Sequence, residues 1–244
     1  MKNLKDIFEG IMDKNNRQTV GSNLAITEIE QFLKENYQTA KFIISEKPNK
    51  NGMYEVSCDG TVSTKWNPRE TMYNLTNGKF VFSEVKNFII ETNTIKSLVG
   101  APRIVKNLMS CFNCAWLETL EGFPEQVGGR IDLRMCIRLK SLEGLPKTCG
   151  SLTINKCHSL TSLKGAPKKI TDVSGFDASD CENLVELNTG TERVVGNFDC
   201  TCCPNLKSLV GAPKVVKGNF YCDRRFSNAH IAEVTTVMKN ICKY

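Results

Sequence analysis

Apolar residues return in a fixed frame along the second half of the chain. The pairs Met109/Cys111, Ile131/Leu133, Leu152/Ile154, Phe176/Ala178, Phe198/Cys200 and Phe220/Cys222 each skip one polar or small residue. That period of two predicts short strands with one inward face. Three residues after each of the first five pairs stands a cysteine: Cys114, Cys136, Cys157, Cys181 and Cys203, at spacings of 22, 21, 24 and 22. Leucines follow at plus three and plus six, as in Leu139 and Leu142, and then a Gly-x-Pro turns the chain back. A valine such as Val127, Val195 or Val216 is expected to close each coil.

The full motif, Leu-x-x-Leu-x-Gly-x-Pro, appears at Leu117–Pro124, Leu139–Pro146, Leu160–Pro167 and Leu206–Pro213. Degenerate copies lie at Ile95–Pro102 and at Leu184–Thr191, where Thr189 and Thr191 replace Gly and Pro. A repeat of about 20–29 residues is the signature of a leucine-rich-repeat solenoid. One coil cannot bury its own apolar face, whereas stacked coils bury it continuously. The predicted fold is therefore α+β: a leucine-rich-repeat-type β-solenoid with a parallel concave sheet, an N-terminal α/β cap and a C-terminal capping helix. In place of the asparagine frequent at the ladder position, a cysteine thiol can donate to a buried carbonyl in the turn. Arg225 takes the sixth ladder position, so the cysteine series ends there.

Three segments follow from this reading: a cap over 1–85, about six coils of ~22 residues over 86–226, and a helix over 227–244. In the cap, residues 1–14 predict one helix. A second, capped near Thr27, carries the stripe Ile29, Phe32, Leu33 and Tyr37. Strands are expected at Lys41–Ser45, Tyr54–Cys58, Thr61–Lys65 and Lys79–Phe82, with hairpin turns at Asn51-Gly52 and Asp59-Gly60. Ser227 or Asn228 would cap the last helix, whose Ile231, Val234, Val237 or Met238, and Ile241 would cover the final coil.

Composition narrows the function. The net charge of +6 excludes an acidic mimic of DNA and is too small to indicate nucleic-acid binding by itself. No export signal and no membrane-spanning apolar run is visible, so the twelve cysteines are expected to be reduced core thiols in a cytoplasmic protein.

The run Leu-x-Ser-Leu-x-Gly-Ala-Pro-x-x-Val-x-Gly-x-Phe-x-Cys, best seen at Leu206–Cys222, resembles the leucine-rich-like repeats encoded by tailed bacteriophages. Gly52–Val62 and Leu75–Phe82 are similar to the lead-in of that family, and the resemblance covers roughly residues 40–226. Departures fall in the coil at 184–191 and in the insertion near Lys169–Ser174. The resemblance implies a phage protein with no shared catalytic motif. Its expected partner is a host protein, and its expected use is to inhibit a host enzyme or defence component in the host cytoplasm.

Candidate chemistry is sparse. Cys111-x-x-Cys114 and Cys200-x-Cys202-Cys203 have metal-ligand spacing, but the repeat frame accounts for all of them except Cys202. Only His158 and His230 could serve as base or ligand histidines, and His158 follows Cys157 directly. Neither a nucleotide loop nor a nucleophile elbow occurs. No cofactor, no metal and no enzymatic activity is expected. Strand positions facing away from the core carry more information. One row reads Ser110, Asp132, Thr153, Asp177, Asp199 and Tyr221; the other reads Phe112, Arg134, Asn155, Ser179, Thr201 and Asp223. Phe112 with Arg130 and Arg134 predicts an aromatic–cationic patch; Asp177, Asp180 and Asp199 predict an acidic middle; Tyr221 and Arg224 close the far end. Trp116 either packs against Glu118 and the neighbouring coil or stands out as an anchor. A mixed face with Phe, Tyr and Arg suits a protein partner. The alternatives are a nucleic-acid binder using a strip of Lys168, Lys169, Lys207, Lys214 and Lys217, a structural or assembly adaptor, and an enzyme with its site in residues 1–85. No membrane partner is expected.

Overall fold

The computed structural model describes residues 17–36, 40–64, 80–91 and 93–244, with the backbone alone for 17–24, 36 and 64. The helix expected over 1–14, together with Tyr37, Lys65 and Lys79, lies outside these residues. Helix α1 (Arg17–Asn36) is followed by β1 (Phe42–Ile44), β2 (Tyr54–Thr64) and β3 (Phe80–Ile90). Thr27 sits inside α1 rather than at its start. Ile29 and Leu33 of α1 are buried, and Phe32 meets Phe80 of β3 edge-on at 5.8 Å.

The Asn51-Gly52 turn forms, with Gly52 at φ 78° and β1 antiparallel to β2. The turn expected at Asp59-Gly60 does not. β2 runs straight through it, and the extra residues are absorbed as irregularities in its parallel pairing with β3. Pairing along both flanks of the dipeptide outweighs its local turn preference. The strand expected at Lys79–Phe82 extends instead to Ile90, so a boundary at residue 85 would cut through β3.

From β4 (Ile104–Ser110) the chain becomes a β-solenoid. β4 pairs, within one sheet, with both strands of the coil that follows: its first residues with β5 (Gln126–Val127) and its last with β6 (Arg130–Asp132). Each later coil then contributes one strand to each of two sheets. In chain order these are β7 (Thr148–Cys149), β8 (Ser151–Thr153), β9 (Lys169–Ile170), β10 (Phe176–Asp177), β11 (Arg193–Val194), β12 (Phe198–Asp199), β13 (Val215–Val216) and β14 (Phe220–Cys222). The long sheet runs β1-β2-β3-β4-β6-β8-β10-β12-β14 and continues into a final strand; from β2 on, its pairing is parallel. The short sheet runs β7-β9-β11-β13 and one strand more, also parallel. The sequence pattern showed one strand per coil. The second escaped it because two residues are too few to display a period.

The core lies between the sheets. All six predicted inward pairs are buried, as are the leucines at plus three and plus six. Phe176, Phe198 and Phe220 stack across coils at 5.3 and 5.2 Å between ring centroids. The residue that closes the fourth coil is Val194, fully buried, rather than Val195: it stands 13 residues after Cys181, as Val127 stands 13 after Cys114 and Val216 13 after Cys203. Ladder thiols of Cys136, Cys157, Cys181 and Cys203 donate to the carbonyls of Cys111, Leu133, Ile154 and Ala178 one coil earlier, at 3.1–3.4 Å. Cys202, the cysteine outside the inward frame, occupies the left-handed corner before the ladder (φ 56°), a place held elsewhere by Asn113, Met135, Lys156 and Asp180.

The departures are absorbed locally. Asp172–Gly175 loops outward, with Asp172 Oδ1 accepting from the Ser174 amide at 2.8 Å, while registers on both sides hold. Thr191, at a proline position, donates its hydroxyl to the Pro167 carbonyl at 2.7 Å. The C-terminal segment is not a single helix. Helix α2 covers Asn228–Val234, with Ser227 as its N-cap, and the chain then adds β15 (Thr236–Val237) to the short sheet and β16 (Ile241–Lys243) to the long one. Ile231 is buried as expected, but Val237 and Ile241 are strand residues. Thr235 shows why the solenoid continues: its hydroxyl reaches the Pro213 carbonyl at 2.5 Å, as that of Thr191 reaches Pro167 two coils earlier.

Candidate functional site

The outward face of the long sheet is built by the residues that alternate with the core pairs. Asp132 is almost fully buried there and organises one end. It accepts from Arg134 Nε (2.8 Å), Arg134 Nη2 (2.7 Å), the Arg134 amide (3.2 Å) and Arg130 Nη2 (3.3 Å). Its hydrogen bond holds the Arg134 guanidinium above its usual pKa. These two arginines are therefore largely committed to one carboxylate.

The acidic middle has a structural duty as well. Asp177 Oδ1 accepts from the Ser179 amide and hydroxyl, and Asp199 Oδ1 accepts from the same groups of Thr201, at 2.7–3.0 Å. Such bonds satisfy backbone where the strand ends. Burial, partly offset by the Thr201 bonds, pushes the Asp199 carboxyl above the usual range. Asn155 lies half-buried between the two regions, its Oδ1 enclosed without a hydrogen-bond partner. At the far end Asp223 accepts from the Cys202 amide and pairs with Arg225 at 3.0 Å. Tyr221 accepts from Asn219 and lies 5.9 Å from the Tyr244 ring. The Arg224 side chain is exposed beside them.

The concentration of exposed apolar surface lies at the first end, around the ladder corners. Phe112 is 47% exposed, with the Arg134 guanidinium 5.0 Å from its ring centre. Trp116 is 41% exposed, with Arg138 at 3.6 Å. Each arginine stands 22 residues after its aromatic, one coil on. Trp116 is thus a part-exposed ring that also packs against the neighbouring coil, under Arg138. Glu118 pairs with Lys140 at 2.6 Å. Met135 and Ile137 between the two arginines are also exposed. Beside Phe112 a cavity of about 640 Å³ is lined by Ile89, Ile90, Glu91, Asn93, Ser110, Asn113, Asp132 and Arg134. Sequence reasoning found Phe112, Arg134 and Trp116 but missed Arg138, Met135 and Ile137. The 22-residue offset from Trp116 to Arg138 was the available signal.

The deeply buried thiols are poor nucleophiles. None of the twelve cysteines forms a disulfide, and ten are buried. Burial raises the pKa of Cys149, Cys181 and Cys203 to about 12. A thiol rather than a thiolate therefore stands at each of these sites near neutral pH. Among the described residues no cluster of His, Cys, Asp and Glu could hold a metal ion, and no helix is long and apolar enough to cross a membrane. A larger groove of about 840 Å³ opens where β5 leaves β7, lined by Ile104, Phe123, Leu145 and Pro146 among others. Comparison of the chain with family models, curated proteins and solved structures gives no match.

Proposed function

We propose that the chain is a non-enzymatic protein-binding module and that its partner docks on the rim formed by Phe112, Trp116, Arg134 and Arg138. The observation that carries this reading is the pair of aromatic–arginine stacks on adjacent coils, flanked by exposed Met135 and Ile137. Such rings are already ordered by their cations, so less side-chain entropy is lost on docking. Aromatic residues and arginine dominate binding energy at protein interfaces. The two-sheet coil is read as the leucine-rich-like type, with α1 and the first strands as one cap and α2 as part of the other. Through its resemblance to phage repeats, the partner is a host protein, and blocking a host enzyme or defence component is the use.

The test compares wild type with Phe112→Ala/Trp116→Ala as baits in a host lysate, read by mass spectrometry, and then repeats the binding with the purified protein captured. Capture by wild type and loss of at least tenfold in affinity by the variant, at unchanged Tm, is the expected result. Equal binding by both would remove the rim from the interface.

A further inference from the structure

We propose that the outward face of the short sheet binds the phosphate backbone of a nucleic-acid duplex without reading its sequence. In each short strand the first residue faces out and the second in. The outward residues run Thr148, Lys169, Arg193, Val215, and the residues just before the strands run Lys147, Lys168, Glu192, Lys214. Lys217 follows β13. Lys147, Lys168, Lys169, Arg193, Lys214 and Lys217 are all exposed. Lys207, grouped with them on sequence alone, belongs elsewhere: it follows Leu206 as Lys140 follows Leu139, on the outer turn.

Elsewhere three cations pair with an acid one strand or coil earlier: Lys106 with Glu84 at 2.6 Å, Lys140 with Glu118 at 2.6 Å, Lys164 with Glu143 at 3.0 Å. On the short sheet Lys169 and Arg193 are direct cross-strand partners, and the Arg193 amide bonds the Lys168 carbonyl. Like charges directly opposite in a sheet are destabilising. Among the described residues none of the six cations makes an ion pair. Glu192, in register between Lys168 and Lys214, is the one acid among these positions; the strip keeps a net positive charge that a polyanion would complement.

The chemistry of the strip selects the polyanion. Coils repeat at about 4.8 Å, so cations on four successive coils cover about 15 Å, the length of some four base pairs. No aromatic residue stands at an outward position of these strands, which removes the platform a single strand needs for its bases. Lysine outnumbers arginine five to one, whereas protein interfaces deplete lysine. Among the outward strand residues only Val215 is a large apolar side chain, and it is half-buried, so nothing there would insert into a lipid surface.

The experiment is fluorescence anisotropy of a labelled mixed-sequence duplex, with wild type, a strip variant (Lys168→Glu/Lys169→Glu/Lys214→Glu) and a control of equal charge change on the β1–β2 hairpin (Lys41→Glu/Lys47→Glu/Lys50→Glu). Wild type should bind, and four neutralised phosphates would weaken it about 150-fold between roughly 50 and 200 mM salt. The strip variant should lose at least tenfold at the lower salt and show a shallower salt slope, while the control stays within about threefold of wild type. No wild-type binding at the lower salt, equal loss in both variants, tighter binding of single strands, or binding only to phosphatidylserine vesicles would each overturn the proposal.

Discussion

The two outward faces of the solenoid are made by the same repeat, yet they treat charge in opposite ways. On the long sheet, the four aspartates of the outward rows are each answered within the coil. Asp132 gathers Arg130 and Arg134, Asp177 and Asp199 hold the amides two residues on, and Asp223 holds Arg225. On the short sheet, Lys169 faces Arg193, and among the described residues neither makes an ion pair. The period alone therefore does not make a binding surface. What differs is whether the charge is consumed by the fold. Where it is, the free energy of binding must come from apolar contact, as at Phe112 and Trp116. Where it is not, the charge itself is available.

The largest effect is expected from removing what the faces share. Phe198 is fully buried between the sheets and touches Phe176 and Phe220. Phe198→Ala should cost about 3–5 kcal/mol in urea unfolding and should remove partner and duplex binding together as the protein unfolds. If one were lost with the other intact, the faces would not depend on a common core. Asp132→Ala comes next. It strips several hydrogen bonds from a nearly buried carboxylate and should cost about 1–3 kcal/mol. Under conditions where the variant is folded, duplex binding by the short sheet should be unchanged; weakened duplex binding would mean that the two faces are coupled.

Much of this was readable in advance, and the failures have physical causes. Core pairs, ladder cysteines and turn motifs repeat over more than a hundred residues, so each copy corroborates the others. The short sheet was invisible because its strands are two residues long and only their stacking makes them a sheet. At the C-terminus, Ile231, Val234 and Met238 have helical spacing, but the hydroxyl of Thr235 and pairing with β13 and β14 prevail after Val234. Candidate site residues were chosen by side-chain type at outward positions. That rule finds Arg130 and Arg134 but cannot show that Asp132 already occupies them, and it passes over Arg138, whose role comes only from lying over Trp116.

An intermediate effect is expected at Asp199, where the long sheet answers its charge least well. Burial raises this carboxyl above the usual value of 3.8. A raised pKa means that the folded protein holds the proton more tightly than the unfolded chain. The resulting stability is full below the ordinary carboxylate range and is lost as pH rises through the folded pKa. Asp199→Asn retains an oxygen for the Thr201 amide and hydroxyl and has no charge to bury. Relative to wild type it should gain stability as pH rises from about 3 toward 7. A difference that is flat with pH would show that the Thr201 bonds cancel the burial cost.

The smallest effect tests the other face most directly. Lys169→Glu converts a like-charged cross-strand pair with Arg193 into an opposite-charged one, at an exposed position that makes no ion pair among the described residues. If the strip is a cost that the fold carries for a ligand, this single change should stabilise the free protein by about 0.2–1 kcal/mol in low salt. The gain should fade at high salt, where screening removes repulsion and attraction alike. In the same variant duplex binding should weaken, so stability and binding move in opposite directions. A solubilising surface lysine has no reason to show that opposition: its replacement would leave binding alone and shift stability in either direction by a similar few tenths of a kcal/mol. The sign of the two changes together, rather than the size of either, therefore separates a retained binding strip from an ordinary charged surface.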